Sequence, residues 1–170
     1  MAQDIAQSVN ANYKQQILKV PQAVIQEAVA VIPGLDGRKM SKSYGNTIPL
    51  FVPEKELHKI IMRVVTNSQG VEEPKDPDTS QIYLFYKLFA TAEEQAALAA
   101  RYRAGGMGWG EAKEELFRVV NRELTPLRQR YDALIADPKG LDAILAKGAA
   151  RARPIAAATV QRFRKAAGID

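Results

Sequence analysis

Between Gly37 and Asn46 the chain reads Gly-Arg-Lys-Met-Ser-Lys-Ser-Tyr-Gly-Asn. Lys39 and Lys42 stand three residues apart with Ser41 and Ser43 between and beside them, and Gly34, Gly37 and Gly45 punctuate the segment. Glycine permits backbone conformations that other residues resist, so such a loop can fold over a triphosphate. Its ammonium groups would then meet the β- and γ-phosphates, with hydroxyl or amide donors between them. When a nucleophile attacks the α-phosphorus, charge grows on the departing pyrophosphate. A donor held there lowers the barrier by about 3–4 kcal/mol. The same residue types also make an ordinary exposed basic loop, so the chemistry depends on what surrounds them.

The surrounding pattern changes at Pro49. Before it, Ala2, Ile5, Ala6, Val9 and Tyr13 recur at helical spacing, and Ala28 to Ile32 is a short apolar run stopped by Pro33-Gly34. That run reads as a buried strand of a parallel sheet, whose partner strands would lie in sequence missing from this chain. After it, the pattern is helical throughout. Pro53 suits a first helical position ahead of Leu57, Ile60, Ile61, Val64 and Val65. A polar loop spans 67–78, and a second helix carries Ile82, Tyr83, Phe85, Tyr86 and Phe89 toward the core. Thr91 with Glu94 predicts a capping box for a third helix, which Gly105-Gly106 ends. Leu116, Val120, Leu124, Leu127, Tyr131 and Leu134 mark the longest helix, with a kink expected at Pro126 and closure at Asp137-Pro138. A short helix with Leu141, Ile144 and Leu145 then leads to a last one that turns Ile155, Ala156, Val160, Phe163 and Ala167 inward. The expected fold is therefore mostly α: residues 53–170 a helical bundle, residues 1–52 the remnant of a Rossmann-like α/β domain carrying the lysine loop.

Composition narrows the function classes. The chain has 170 residues, 46% hydrophobic and 25% charged, enough to bury a core. It has no cysteine, which excludes disulfides, thiolate catalysis and cysteine zinc sites and fits a cytoplasmic setting. Its single histidine, His58, excludes a metal site that needs two, and no metal ligand set is expected. The start shows no secretory signal, and no apolar run approaches the roughly 18 residues of a membrane helix. The net charge of +5 lies entirely in residues 139–170, where seven Lys or Arg face two Asp. Lys147, Arg151, Arg162 and Lys165 fall together on one side of the last helix, which suggests a polyanion, most simply nucleic acid; a solvated helix face is the plainer alternative.

Lys39-Met40-Ser41-Lys42-Ser43 matches the second signature of class I aminoacyl-tRNA synthetases, a five-residue match expected by chance in about one chain in 20,000 of this length. The chain resembles the bacterial tryptophanyl-tRNA synthetases over essentially all its length. Ala2-Gln3-Asp4-Ile5-Ala6 looks like the helix before that signature. Pro33 to Arg38 and Tyr44 to Ile48 look like its flanks. Gly106-Met107-Gly108, the run from Pro126 to Tyr131, and Leu141 through Gly148-Ala149 to Gly168 resemble the C-terminal domain of that family.

The resemblance implies ATP binding, with Mg2+, at Lys39, Met40, Ser41, Lys42 and Ser43. Lys42, with Lys39 beside it, is the implied catalytic residue on the pyrophosphate, and backbone near Val31 would face the adenine. It further implies tRNA bound by the C-terminal helices, for which Arg151, Arg162 and Lys165 are candidates, and a homodimeric whole enzyme without membrane attachment. The first signature of the family, His-x-Gly-His, has no counterpart here, since His58 is out of context. The chain thus resembles the C-terminal half of the enzyme, with most of the tryptophan pocket elsewhere, and is expected to be inactive alone. Two alternatives stay open: a non-catalytic RNA-binding module with a vestigial loop, and the related tyrosine enzyme. Because that enzyme usually appends a separate RNA-binding domain, a chain stopping at Asp170 favours tryptophan. His58 is expected at the surface or a boundary. Trp109, in a glycine run of the wrong spacing for a dinucleotide loop, is expected to be a packing anchor.

Overall fold

Side-chain caps mark several of the helix starts. The computed structural model describes residues 1–26 and 29–169. Helix α1 spans Ala2–Asn12, α2 Glu54–Ile61, α3 Gln81–Tyr86, α4 Ala92–Ala104, α5 Trp109–Ala136 and α6 Pro138–Ala167. Ser80 caps α3 by accepting the Tyr83 N–H at 3.3 Å. At α4 the capping box closes in both directions, Thr91 Oγ1 accepting the Glu94 N–H at 3.3 Å and Glu94 Oε2 the Thr91 N–H at 2.9 Å. Gly105 ends that helix. Asp137 caps α6 through the Gly140 N–H at 3.0 Å, with Pro138 in the first turn.

The chain divides into two compact units, one of residues 27–133 and one of 1–26 with 134–170. The first holds the core. Leu57 and Ile61 of α2, Ile82, Phe85 and Tyr86 of α3, Leu98 and Tyr102 of α4, and Leu116, Val120 and Leu124 of α5 form one buried cluster, with Leu35 from the lysine loop among them. Aromatic edges lock it: Tyr102 meets Tyr83 at 5.9 Å and Trp109 at 5.9 Å between ring centres. Trp109 is therefore a packing anchor, as expected. His58 lies at the boundary, edge-on to Phe117 at 4.8 Å and 2.9 Å from Glu114.

The second unit is thinly packed. Asn10 of α1 folds back the chain after it, accepting the Ile17 and Leu18 N–H groups at 2.9 Å each and donating to the Leu18 carbonyl at 2.8 Å. Ala6 and Ile17 are buried, and Tyr13 meets Phe163 edge-on at 6.1 Å.

Three sequence expectations need correction. Residues 29–32 are not a strand, and Ala28 lies outside the described residues. Among the described residues there is no sheet, only an isolated antiparallel bridge between Pro33 and Lys39. A strand needs a neighbour for its ladder, and among the described residues this run has none. Secondly, residues 138–167 are one helix that continues through Pro154. Pro154 removes one backbone bond, and the strong helix formers around it (Ala149, Ala150, Ala152, Ala156, Ala157) outweigh that loss. Thirdly, Ile155 and Val160 are exposed, as are Leu127 and Tyr131 on α5. At about 1.5 Å per residue, the 11-residue α1 cannot cover a 30-residue helix.

Candidate functional site

The lysine loop is a folded knot of backbone and side-chain bonds. Gly34 N donates to Arg38 O at 2.6 Å and Met40 N to Ile32 O at 2.9 Å, which narrows residues 32–40 into a tight hairpin. Gly37 and Gly45 take φ of +82° and +62°, where a side chain would be strained, so the turns on both sides of Lys39–Ser43 need glycine. Lys42–Tyr44 form a single 3-10 turn, with Tyr44 N bonded to Ser41 O and Gly45 N to Lys42 O, each at 3.2 Å. Two bonds fix the loop on the helical core: Val65 N donates to Leu35 O at 2.9 Å, and the Gln81 side chain donates to Gly34 O.

Charge is sorted within this knot. Arg38 is bound by Asp36, Nε to Oδ2 at 2.7 Å and Nη2 to Oδ2 at 2.6 Å, and its guanidinium sits 4.8 Å from the centre of the Tyr44 ring. The Asn46 amide, then Arg38, hold the Asp36 carboxyl below the usual carboxylate range. Lys39 and Lys42 are exposed and have no ion-pair partner among the described residues. Ser41 and Ser43 share a hydroxyl–hydroxyl bond of 2.8 Å. The segment thus offers two unpaired ammonium groups and two adjacent hydroxyls, and Arg38 is withdrawn from the set. Such an arrangement can bind an anion with several oxygens.

Met40 differs from its neighbours. Its side chain packs against the core and lines an apolar cavity of about 130 Å³ with Ile32, Ile48, Phe85, Leu116 and Val120, so it anchors the loop. Val31 is exposed and borders a larger hollow with Ile32, Pro33, Phe85 and Lys87. Sequence reasoning missed Asn46 and Asp36 as the centre of the knot; the Asp36-Gly37 turn signal was the available hint.

Arg151, Arg162 and Lys165 belong to the other unit. All three are exposed on α6 without ion-pair partners among the described residues; Arg162 donates to Thr159 Oγ1 at 3.4 Å. At about 100° per residue they fall within roughly 60° of one another on one face, with Arg153 and Arg164 opposite.

Comparison with known proteins gives a consistent picture. The family described as tRNA synthetases class I (W and Y) matches residues 1–125. A tryptophan–tRNA ligase of Pseudomonas aeruginosa is 48% identical over 99% of this chain and 38% of its own length. One from Xanthomonas axonopodis is 48% identical over 90% of this chain and 35% of its own. A crystal structure of tryptophanyl-tRNA synthetase from Campylobacter jejuni, complexed with ADP and tryptophan, superposes with a TM-score of 0.80 at 41% identity, covering 98% of this chain and 52% of that one. The chain therefore spans a little more than a third of these curated relatives and about half of the solved structure.

Proposed function

The chain belongs to the class I tRNA synthetases (W and Y), and on that footing we propose that it is a C-terminal portion of a tryptophan–tRNA ligase. The whole enzyme would activate tryptophan with ATP and transfer it to tRNA. In this reading residues 1–52 are the end of a Rossmann-like catalytic domain and 53–170 the anticodon-binding helices. Support for tryptophan over tyrosine comes from the relatives, both tryptophan–tRNA ligases at 48% identity.

The observation that carries the reading is the charge sorting in the loop, where Arg38 is neutralised by Asp36 while Lys39 and Lys42 stay unpaired and exposed. A carboxylate oxygen of tryptophan would attack the α-phosphorus of ATP. The bond from that phosphorus to the bridging oxygen breaks, and pyrophosphate leaves with the electron pair. Lys42, with Lys39, would take the charge that grows on it, and the Ser41 and Ser43 hydroxyls would donate beside them. Val31 would border the adenine. Mg2+ accompanies ATP in such reactions, but no group of three or more His, Asp or Glu able to hold a metal occurs among the described residues. On α6, Arg151, Arg162 and Lys165 would meet tRNA phosphates. No helix among the described residues is long and apolar enough to cross a membrane, and the whole enzyme would work as a cytoplasmic homodimer.

The test is exchange of pyrophosphate into ATP by the whole enzyme. Tryptophan should support it and tyrosine should not, while the 170-residue chain alone should show none. Preference for tyrosine would reassign the substrate. Absence of exchange with either amino acid would leave only an RNA-binding module.

A further inference from the structure

We propose that Asn46 is the positioning residue for the Lys39–Ser43 segment, with the Asp36 carboxylate orienting its amide; this rests on the ATP chemistry proposed above for that loop. Asn46 is 3% exposed, whereas Lys39, Lys42 and Ser43 around it are exposed. Its Oδ1 accepts the Ser41 N–H at 2.8 Å, and its Nδ2 donates to Asp36 Oδ1 at 2.7 Å and to the Lys39 carbonyl at 3.3 Å. Its own carbonyl accepts the Leu35 N–H at 2.9 Å.

One side chain therefore fixes the backbone on both sides of Met40. Met40 itself is held by its N–H on Ile32 O and by its packing on the core. Three consecutive backbone positions, 39 to 41, are thus set, and the 3-10 turn that begins at Lys42 continues from them. Both lysine stems leave from this fixed frame.

Asp36 decides which way the amide faces. A carboxylate only accepts, so Nδ2 must point to it, and Oδ1 then points to Ser41 N–H. A flipped amide would set oxygen against carboxylate and NH2 against N–H. Gly34 leaves the space: a Cβ there would lie 2.2 Å from Asn46 Nδ2. Asn46 makes no contact with phosphate in this scheme. It acts through the placement of Lys39 and Lys42, where an error of about 1 Å costs on the order of 100-fold in rate.

The experiment uses the whole enzyme and single-turnover formation of the adenylate. Asn46→Ala should slow that step by about 10- to 100-fold, with a smaller change in the KM for ATP and none in transfer from preformed adenylate to tRNA. Trypsin should cut faster after Lys39 and Lys42 in the variant, with the lysines and arginines outside the loop cut at the native rate. Asn46→Asp should be worse, since it sets two carboxylates against each other. The double variant Asp36→Asn with Asn46→Asp should recover part of the loss, because the carboxylate at 46 then accepts from both Ser41 and the amide at 36, while the Lys39 carbonyl loses its donor; Asp36→Asn alone controls for the lost Arg38 pair. Equal rates for Asn46→Asp and the double variant would overturn the proposal, and that comparison stands even if Asn46→Ala fails to fold. Lys42→Ala is the reference. If it leaves the rate intact, the ATP reading of the loop has failed; if it slows the step while Asn46→Ala does not, only the positioning role has failed.

Discussion

Arg122 on α5 holds Glu94 on α4 through two bonds, Nη1 to Oε1 at 2.6 Å and Nη2 to Oε2 at 3.1 Å. The same carboxylate closes the capping box on Thr91 N, so one group serves both the start of α4 and its attachment to α5. The Arg122 hydrogen bonds, then the Thr91 N–H, lower the Glu94 pKa from 4.5 to about 2. A depressed carboxyl stabilises the fold above its unfolded pKa, and that contribution is lost as pH falls through the folded value. Arg122→Gln should therefore lower Tm at neutral pH, with the gap to the native chain closing as pH drops from about 4.5 toward about 2. A gap that is constant with pH in thermal unfolding would mean that the pair contributes nothing through its charge.

Lys75 offers a second test of stability. It is 2% exposed, yet its Nζ has no ion-pair partner among the described residues; it donates to Gly70 O at 2.7 Å and Glu73 O at 3.1 Å and lies 5.3 Å from the centre of the Trp109 ring. Lys75→Met keeps the length but leaves both carbonyls without this donor, an expected loss of about 1–3 kcal/mol. Trp109 is the only tryptophan in the chain, so its emission should shift in the folded variant and report the transition. Unchanged stability with an unchanged spectrum would show that Lys75 does not brace the 67–78 loop.

Local signals were legible and long-range ones were not. Thr91 and Glu94 announce their box because both partners lie within one turn, and Tyr83, Phe85 and Tyr86 announce a core because α3 is buried on most of its circumference. Asn46 was not legible as the centre of the loop, because its partners at 36, 39 and 41 converge only once the hairpin has formed. The run before Pro33 looked like a strand because a short apolar stretch has no period to contradict it, and only the lack of a neighbouring strand decides otherwise. Val160 and Ile155 looked inward because helical spacing shows which residues share a face, not whether anything covers it.

The basic face of α6 can be separated from bulk charge. If Arg151, Arg162 and Lys165 contact tRNA phosphates, changing all three to Ala should weaken binding and reduce the slope of log affinity against log salt by about 2 to 3, close to one per lost contact. Arg153→Ala with Arg164→Ala removes charge from the opposite face and serves as the control. Affinities at several salt concentrations decide it. An equal change of slope per charge in both variants would show a general attraction with no preferred face.

The role of Lys42 is separable by step. Lys42→Ala in the whole enzyme removes one ammonium group while leaving the Asp36–Asn46 brace and the glycine turns in place. If its action is on charge that develops in pyrophosphate, adenylate formation should slow by about 100- to 1000-fold, the loss of one transition-state donor. Ground-state ATP affinity should fall much less, because the charge it answers is small before the bond breaks. Tryptophan affinity should barely move. Transfer of activated tryptophan to tRNA should be nearly normal, since pyrophosphate has already left. Single-turnover kinetics of the two half-reactions distinguishes these outcomes. Equal losses in both would mean that Lys42 supports the fold or the tRNA, and the phosphate role would have to be given up.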